Sequence, residues 1–358
     1  MWTAIILSSH FRSLGGATMY RRVSQAILLN KLHRVRVYGS LSREYPVDLL
    51  FFDPGGIDWA RERVGGLLLK RGRWQQGYFA FPKIIYNRCF PEPQDLLLRL
   101  GQILGSEHIF NDRTHFDKWD VYQSLEEQGL GEYLPRTYKY TDDDFGEILT
   151  RHPSLILKPR LSHGGAGVLK LTLLTPSVII IRSGVGIPVP LIGADLFIPL
   201  LLATAPPETF IAQEYIESAV LGDDRFDVRI LMQKNGGGNW EVGGELSRIG
   251  LASNLLTNHY HTIAAPADFV PSPLLARLRV ISQAVAESLD GSYAILGELG
   301  VDFLIDVEGN PWILEVNGKP DKSLFWGLAD KALLRRIYLN PLAYQGHLLS
   351  TLQARQVP

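Results

Sequence analysis

Cysteine is nearly missing from this chain. Its 358 residues hold one, Cys89, which can neither close an intrachain disulfide nor build a cysteine zinc site. Excess charge is missing too: 36 Lys and Arg face 37 Asp and Glu, for a formal charge of −1. No general field therefore draws the chain to nucleic acid or to an anionic membrane. With 46% hydrophobic and 20% charged residues, disorder is excluded. Residues 178–203 are strongly apolar, but Arg182, Asp195, three prolines and three glycines interrupt them. A spanning helix wants about 20 unbroken apolar residues, so the segment is expected as buried strands and loops, with no membrane span. The start, MWTAIILSSHF, lacks a basic region before its apolar run and reads as a buried first strand. With the cysteine count, this predicts a reducing, cytoplasmic setting. Internal repeats, a G-x-S-x-G elbow and a Walker A loop are all absent, and His10, His33, His108, His152 and His347 lack metal spacing.

What is present fills two or three domains. Short β-like runs at Ala4–Leu7, Val35–Tyr38, Leu49–Phe52 and Lys83–Tyr86, with a helix expected over Met19–Lys31, predict a small α/β unit. Near residue 110 the texture changes. HFDKWDVYQSLEEQ is helical in composition, with Phe116, Trp119 and Leu125 on one stripe. Strands are expected at Arg136–Tyr140, Leu155–Lys158, Phe210–Tyr215, Asp227–Lys234 and Trp240–Ile249, with an acidic helix start at Asp142, Asp143 and Asp144. Leu274, Leu278, Ile281, Val285 and Leu289 mark one face of an amphipathic helix.

The sharpest feature is GVDFLIDVEGNPWILEVNGKP, residues 300–320. Two apolar runs flank Glu308-Gly309, the signature of a two-residue hairpin turn. A turn centred there sets Asp302 opposite Glu315 and Asp306 opposite Pro311. Asn317 shares the face of Glu315, because strand side chains alternate. Opposed carboxylates repel unless a cation lies between them, and with the amide oxygen they offer the hard oxygen donors that hold Mg²⁺ against phosphate. An ordinary hairpin with acids in solvent is the plainer reading; three such residues in register within strands this apolar favour the cluster.

Two weaker features accompany it. In ILKPRLSHGGAGVLKL a strand delivers Lys158, followed by a loop with Ser162, His163, Gly164, Gly165 and Gly167. Such a loop lets backbone N–H groups approach phosphate, though a plain glycine-rich hairpin reads equally well. In FIAQEYIES, Gln213 and Glu214 end a β-run that offers backbone groups to an adenine edge, with Glu217 available to a ribose hydroxyl. Asp227 and Arg229 share a strand face, either as a surface ion pair or as a clamp on phosphate or carboxylate. Asn87 and Arg88 end a strand of the first unit, where they would reach an acceptor.

Taken in order, these segments resemble the ATP-grasp superfamily, and more narrowly its YheC/YheD-type branch, named for endospore coat-associated proteins. The matches are YNR at Tyr86–Arg88, FDKW at Phe116–Trp119, LKPR at Leu157–Arg160, QEYI at Gln213–Ile216, DVR at Asp227–Arg229, Arg248 with Asn258, and EVNGKP at Glu315–Pro320. The resemblance implies an α+β fold in which two lobes with antiparallel sheets grip ATP, preceded by a small α/β domain. It divides the chain at 1–110, 111–330 (lid lobe about 135–212, large lobe about 213–330) and a helical tail, 331–358, packed on the large lobe. It implies that Lys118 and Lys158 contact the nucleotide, that Ser162, Gly164, Gly165 and Gly167 form a lid over the phosphates, and that Gln213, Glu214, Tyr215, Ile216 and Glu217 hold adenine and ribose. Asp302, Glu315 and Asn317 would bind Mg²⁺; Arg229 and Arg248 would stabilise transferred phosphate; Asn258 and Lys319 would approach substrate.

The chemistry so implied is an ATP- and Mg²⁺-dependent carboxylate–amine ligase working through an acyl-phosphate on an amino acid, peptide or protein acceptor. An ATP-grasp kinase and a non-catalytic coat-associated protein are the alternatives. A homo-oligomer and spore-coat association are the expected partners beyond substrates. The chain departs from the related pattern after Asn258, where His259 and His261 replace small residues; they would narrow the acceptor pocket, or the loop packs differently.

Overall fold

A computed structural model describes residues 48–355 together with 23, 25–29, 35 and 38, leaving aside 91, 142–143, 185–188, 193–197, 200, 202, 256–258, 291 and 294. Three six-stranded sheets organise it. The first contains β1 (Gln25–Leu28), β2 (Leu49–Asp58), β3 (Arg63–Lys70), β4 (Arg73–Ala80), β5 (Ile84–Asn87) and β6 (Ile109–Phe110), in the order β4-β3-β2-β1-β5-β6. Its centre is parallel: β1 pairs with β2 and β5 in parallel register, and β5 with β6.

That centre corrects two expectations. Gln25–Leu28 is a strand, not part of a helix over Met19–Lys31; Ala26, Ile27 and Leu28 are fully buried between two parallel neighbours, and burial on both faces outweighs helix propensity. Val35 and Tyr38 are helical rather than extended. Both are buried and pack in the core of this sheet with Ile27, Leu49 and Phe51. The strand expected at Ala4–Leu7 lies outside the described residues.

The second sheet contains β7 (Thr137–Tyr138), β8 (Ser154–Pro159), β9 (Leu169–Thr175), β10 (Val178–Ser183), β11 (Val189–Ile192) and β12 (Phe210–Glu214), ordered β11-β10-β9-β8-β12-β7. All its pairings are antiparallel. Phe145, Ile148 and Leu149 of the helix Phe145–Arg151 pack on Leu155, Leu157 and Leu171 of this sheet. The third sheet contains β13 (Val220–Leu221), β14 (Asp224–Lys234), β15 (Trp240–Leu251), β16 (Thr262–Ala264), β17 (Glu298–Ile305) and β18 (Pro311–Asn317), ordered β16-β15-β14-β17-β18 with β13 on β14, again antiparallel throughout.

Period two along β14 divides its side chains. Val228, Ile230 and Met232 join the core under the helices α1 (Lys118–Glu127) and α2 (Ser272–Asp290), while Leu231 joins that under α3 (Lys331–Arg355). Arg229 shares the parity of Leu231. The helix α3 covers more than the third sheet: its Leu342 and Tyr344 enter the core of the first, and Gln345 Nε2 donates to the Ala26 carbonyl at 2.8 Å.

The β17–β18 hairpin keeps Asp302 opposite Glu315, but by a different route. The turn has three residues between Asp306 and Asn310, whose backbones pair at 3.0 Å. Gly309 takes φ +88°, as the last residue of such a turn requires. Pro311 consequently pairs with Ile305, not Asp306, and Asp306 instead accepts from the Glu308 and Asn310 amides and the Trp312 indole. A bulge at Leu314, between the pairs Phe303–Ile313 and Asp302–Glu315, shifts the register back by one.

Candidate functional site

The three sheets enclose a cavity of about 1350 Å³. The second sheet contributes Ile156 and Lys158, the third Arg229, Asp302 and Glu315, and the first side brings Leu29 and Arg88. Lys158 is buried; its Nζ donates to Gln213 Oε1 at 2.8 Å and to the Leu314 carbonyl at 3.2 Å. The bulge thus turns a backbone acceptor of the third sheet towards a lysine of the second. Burial, reinforced by nearby Lys118 and opposed by Glu315, pulls the Lys158 ammonium down to about 7. Gln213 itself is fixed, its Nε2 donating to Thr137 Oγ1 at 2.9 Å. Its side chain therefore orients Lys158 at the wall of the cavity, which Gln213 also lines.

Lys118 starts α1, whose N-cap Asp117 accepts from the Trp119 and Asp120 amides. Lys118 Nζ donates to the Ser162 carbonyl at 2.9 Å and Oγ at 3.2 Å, and lies 3.4 Å from Glu315 Oε1. One ammonium so joins the glycine-rich loop to the hairpin. In that loop Ser162, Gly164 and Gly165 line the cavity. Gly167 has φ +76°, and a methyl there would stand 2.8 Å from Pro159 Cγ, so the return of the loop onto β9 requires glycine.

On β14 and β15 the arginines meet the carboxylates across the strands. Arg229 forms a bidentate pair with Asp302 at 2.6 and 2.7 Å, as its register opposite Asp302 dictates. Arg248, opposite Asp227, binds Asp227 and reaches Asp302 Oδ2 at 3.0 Å. Asp227 and Arg229 are thus a buried arrangement with separate partners, not an exposed pair. Burial alone would raise the Asp302 carboxyl, but Arg229 and Arg248 outweigh it and hold it at about 2. Asn317 Nδ2 donates to the same Oδ2 at 3.3 Å.

Among the described residues no three His, Cys, Asp or Glu side chains are clustered for a metal; the hairpin offers two carboxylates and an amide. Their chemistry fits Mg²⁺: the donors are all oxygen, Asp302 is ionised, and both acids already attract the nearest cations of the protein.

The remaining sequence candidates divide. Glu214, Tyr215 and Ile216 line the cavity. The Glu214 and Tyr215 amides are taken by the Arg136 and Ser154 carbonyls, while Glu217 is exposed and paired to Arg225 at 2.8 Å. Lys319 lines the cavity with Nζ 5.4 Å above the Phe90 ring. Asn258 lies outside the described residues. Of the two histidines beyond it, His261 bonds Asp224 at 3.1 Å and His259 is exposed; Tyr260 is the cavity residue of that stretch.

One cluster escaped the sequence motifs. Glu298, fully buried, accepts from Arg88, from Lys322 at 2.9 Å and from Gln233 at 3.0 Å. Burial raises its carboxyl, yet Lys322 and Arg88 hold it at about 2. The signal was available: Glu298, Gly300 and Asp302 share one strand face by period two. Asn111, at φ +53°, ties the same region by bonding the Glu298 and Gly318 carbonyls and the Gly297 amide.

Comparison with known proteins agrees with this geometry. A family model described as YheC/D-like ATP-grasp matches residues 106–348. The chain is 25% identical over 290 residues to the endospore coat-associated protein YheD of Bacillus subtilis (strain 168), covering 75% of this chain and 63% of YheD; the chain thus spans less than two thirds of that relative. It is 25% identical over 326 residues to YheC of the same organism, covering 82% of this chain and 87% of YheC. Among solved structures, biotin carboxylase from Campylobacter jejuni aligns with TM-score 0.57 at 11% identity, over 88% of this chain and 71% of that one. D-cycloserine synthetase DcsG aligns with TM-score 0.55 at 13% identity, over 90% and 99%. At such identities the structures establish the fold: α+β, with antiparallel sheets facing across a cleft.

Proposed function

We propose that this chain, which belongs to the YheC/D-like ATP-grasp family, is an ATP- and Mg²⁺-dependent carboxylate–amine ligase that forms an amide or peptide bond through an acyl-phosphate. The observation that carries the reading is Lys118, whose ammonium touches both the glycine-rich loop and the acid hairpin. A triphosphate laid along that line meets Lys118, Lys158 and the amides of the Ser162–Gly167 loop. Adenine then lies at the backbone of Glu214, Tyr215 and Ile216, with Glu217 at the ribose. The unit boundaries at 110 and 330 are part of the same proposal.

Asp302, Glu315 and Asn317 would hold Mg²⁺, which when bound supplies charge neutralisation at the phosphate oxygens. The protein's own part is electrostatic and positional. A substrate carboxylate attacks the γ-phosphorus in line, and ADP leaves. The guanidiniums of Arg229 and Arg248, already braced by Asp227 and Asp302, face the developing charge without reorganising. An amine then displaces phosphate from the acyl carbon. Lys319 sits where it can reach the same phosphate or substrate. No protein nucleophile takes part: Cys89, the one thiol, is buried, and burial pushes it up to about 11. Both curated relatives are named for the endospore coat, so the proposal is an enzyme that meets its substrates in the cytoplasm and associates with a coat layer.

Calorimetry with Mg-ATP and ADP release against paired amino acids and peptides test this. The expected result is ADP release only when carboxylate and amine are both present. Phosphate retained on one acceptor means a kinase, and no nucleotide binding means a scaffold. Glu315→Ala should lower turnover at least about a hundredfold with an unchanged circular dichroism spectrum; retained activity overturns the metal assignment.

A further inference from the structure

The cavity of about 1350 Å³ exceeds the roughly 300–1,000 Å³ that suits one drug-sized ligand. Its wall runs on past the acid hairpin from Lys319 to Leu324 and on to Trp326. That wall begins against the arginine cluster: a methyl on Gly300 would stand 3.1 Å from Pro320 Cβ and 3.8 Å from Arg229 Nε. Arg88 Nη2 donates to the Pro320 carbonyl at 3.3 Å. Beyond it the wall turns aromatic. Tyr338 and Tyr38, which both line the cavity, meet edge-on at 5.6 Å. Trp326 is 54% exposed and lines the same cavity, as do Leu324 and Leu29. A large aromatic face left open to a cavity among other apolar and aromatic side chains is a recognition surface.

The charge of this wall is uneven. Arg88 and Lys322 share one carboxylate, that of Glu298. Asp321 is turned to the Ser323 amide and hydroxyl at 2.9 and 2.7 Å. An anionic group is favoured at the Arg88 end and a cationic side chain is not.

We infer that this wall is the subsite for the carboxylate-bearing substrate, and that it selects a bulky apolar side chain: an aromatic or large aliphatic amino acid, or a peptide ending in one. The carboxylate lies towards Arg229 and Arg88, and the side chain covers Trp326 and Leu324. The inference rests on the ligase reading and adds the substrate class to it.

The test pairs binding with turnover, using L-phenylalanine, L-leucine, glycine, L-glutamate and L-lysine with Mg-ATP. Phenylalanine and leucine should bind at least about tenfold more tightly than the other three, the effect of one desolvated aromatic anchor. Trp326→Ala should weaken phenylalanine about tenfold and move the Kd of ATP less than about twofold, with Trp326→Phe recovering most of the loss. Preference for glycine, glutamate or lysine, or unchanged phenylalanine affinity in Trp326→Ala, overturns the inference. The two readings fail separately. Phenylalanine binding without ADP release under any pairing keeps the subsite and discards the ligase. ADP release driven by small or charged amino acids keeps the ligase and discards the subsite.

Discussion

At the scale of single residues, Arg229, Arg248 and Lys118 each pair with a carboxylate of the site, whereas Lys158 bonds only neutral oxygens. Its ammonium bonds an amide oxygen and a peptide carbonyl, neither of which carries charge, so burial brings it to about 7 from an ordinary 10.5. The sign of the consequence follows. Without nucleotide, Lys158 is largely neutral above pH 7, so stability contributed by this group rises with pH from about 7 to about 10.5. A phosphate beside it restores the ammonium. ATP binding is therefore expected to take up close to one proton near pH 8–9 and almost none at pH 6. Calorimetry in buffers of different ionisation enthalpy reads this directly, and Lys158→Ala should abolish the uptake. Zero uptake or proton release at pH 8.5 would place the triphosphate elsewhere.

At the scale of elements, the β17–β18 hairpin and the glycine-rich loop make opposite demands on their glycines. Gly309 sits at φ +88° with nothing within 4 Å of an added methyl, whereas Gly167 combines φ +76° with a contact to Pro159. Gly309→Ala should cost about 1 kcal/mol of stability, read from the urea midpoint, with ATP affinity unchanged. Gly167→Ala should weaken ATP binding by about tenfold or more, because the loop must shift to relieve both strain and clash. Equal effects of the two on ATP would mean that the loop does not close on the nucleotide. The hairpin also marks how far sequence carries. Asp302 opposite Glu315 was legible, because alternation and a turn signal suffice to pair residues. The three-residue turn and the Leu314 bulge were not, since they cancel in the register and leave no separate trace in the pattern. Gln25–Leu28 was misread for a different reason: four residues buried on both faces lack any period that separates strand from helix. Arg229 and Arg248 were legible as residues, but their buried partners emerge only once β14 lies between β15 and β17.

At the scale of the whole molecule, Glu298 joins parts that are far apart in the chain. It lies on β17 and receives Arg88 from beyond β5, Gln233 from β14 and Lys322 from the segment after β18. Lys322 also donates to the Tyr86 hydroxyl at 3.1 Å, so the first and third sheets share one buried ion cluster. Removing that acid leaves Arg88 and Lys322 buried without the carboxylate they share. Glu298→Gln should therefore destabilise the protein by about 3–5 kcal/mol, measured by urea denaturation. Adding Lys322→Met, which removes one surplus cation and keeps an apolar chain, should recover most of that loss. The acid limb gives an independent check. A carboxyl held at about 2 in the fold against an ordinary 4.5 contributes stability that is complete above pH 4.5 and lost as pH falls towards 2. Wild-type stability should fall over that window, and the Glu298→Gln variant should fall less steeply, retaining the share that belongs to Asp302. If Glu298→Gln unfolds at the wild-type midpoint and with the wild-type acid slope, the two sheets are held by packing of α3 alone, and the ion cluster does not fasten them.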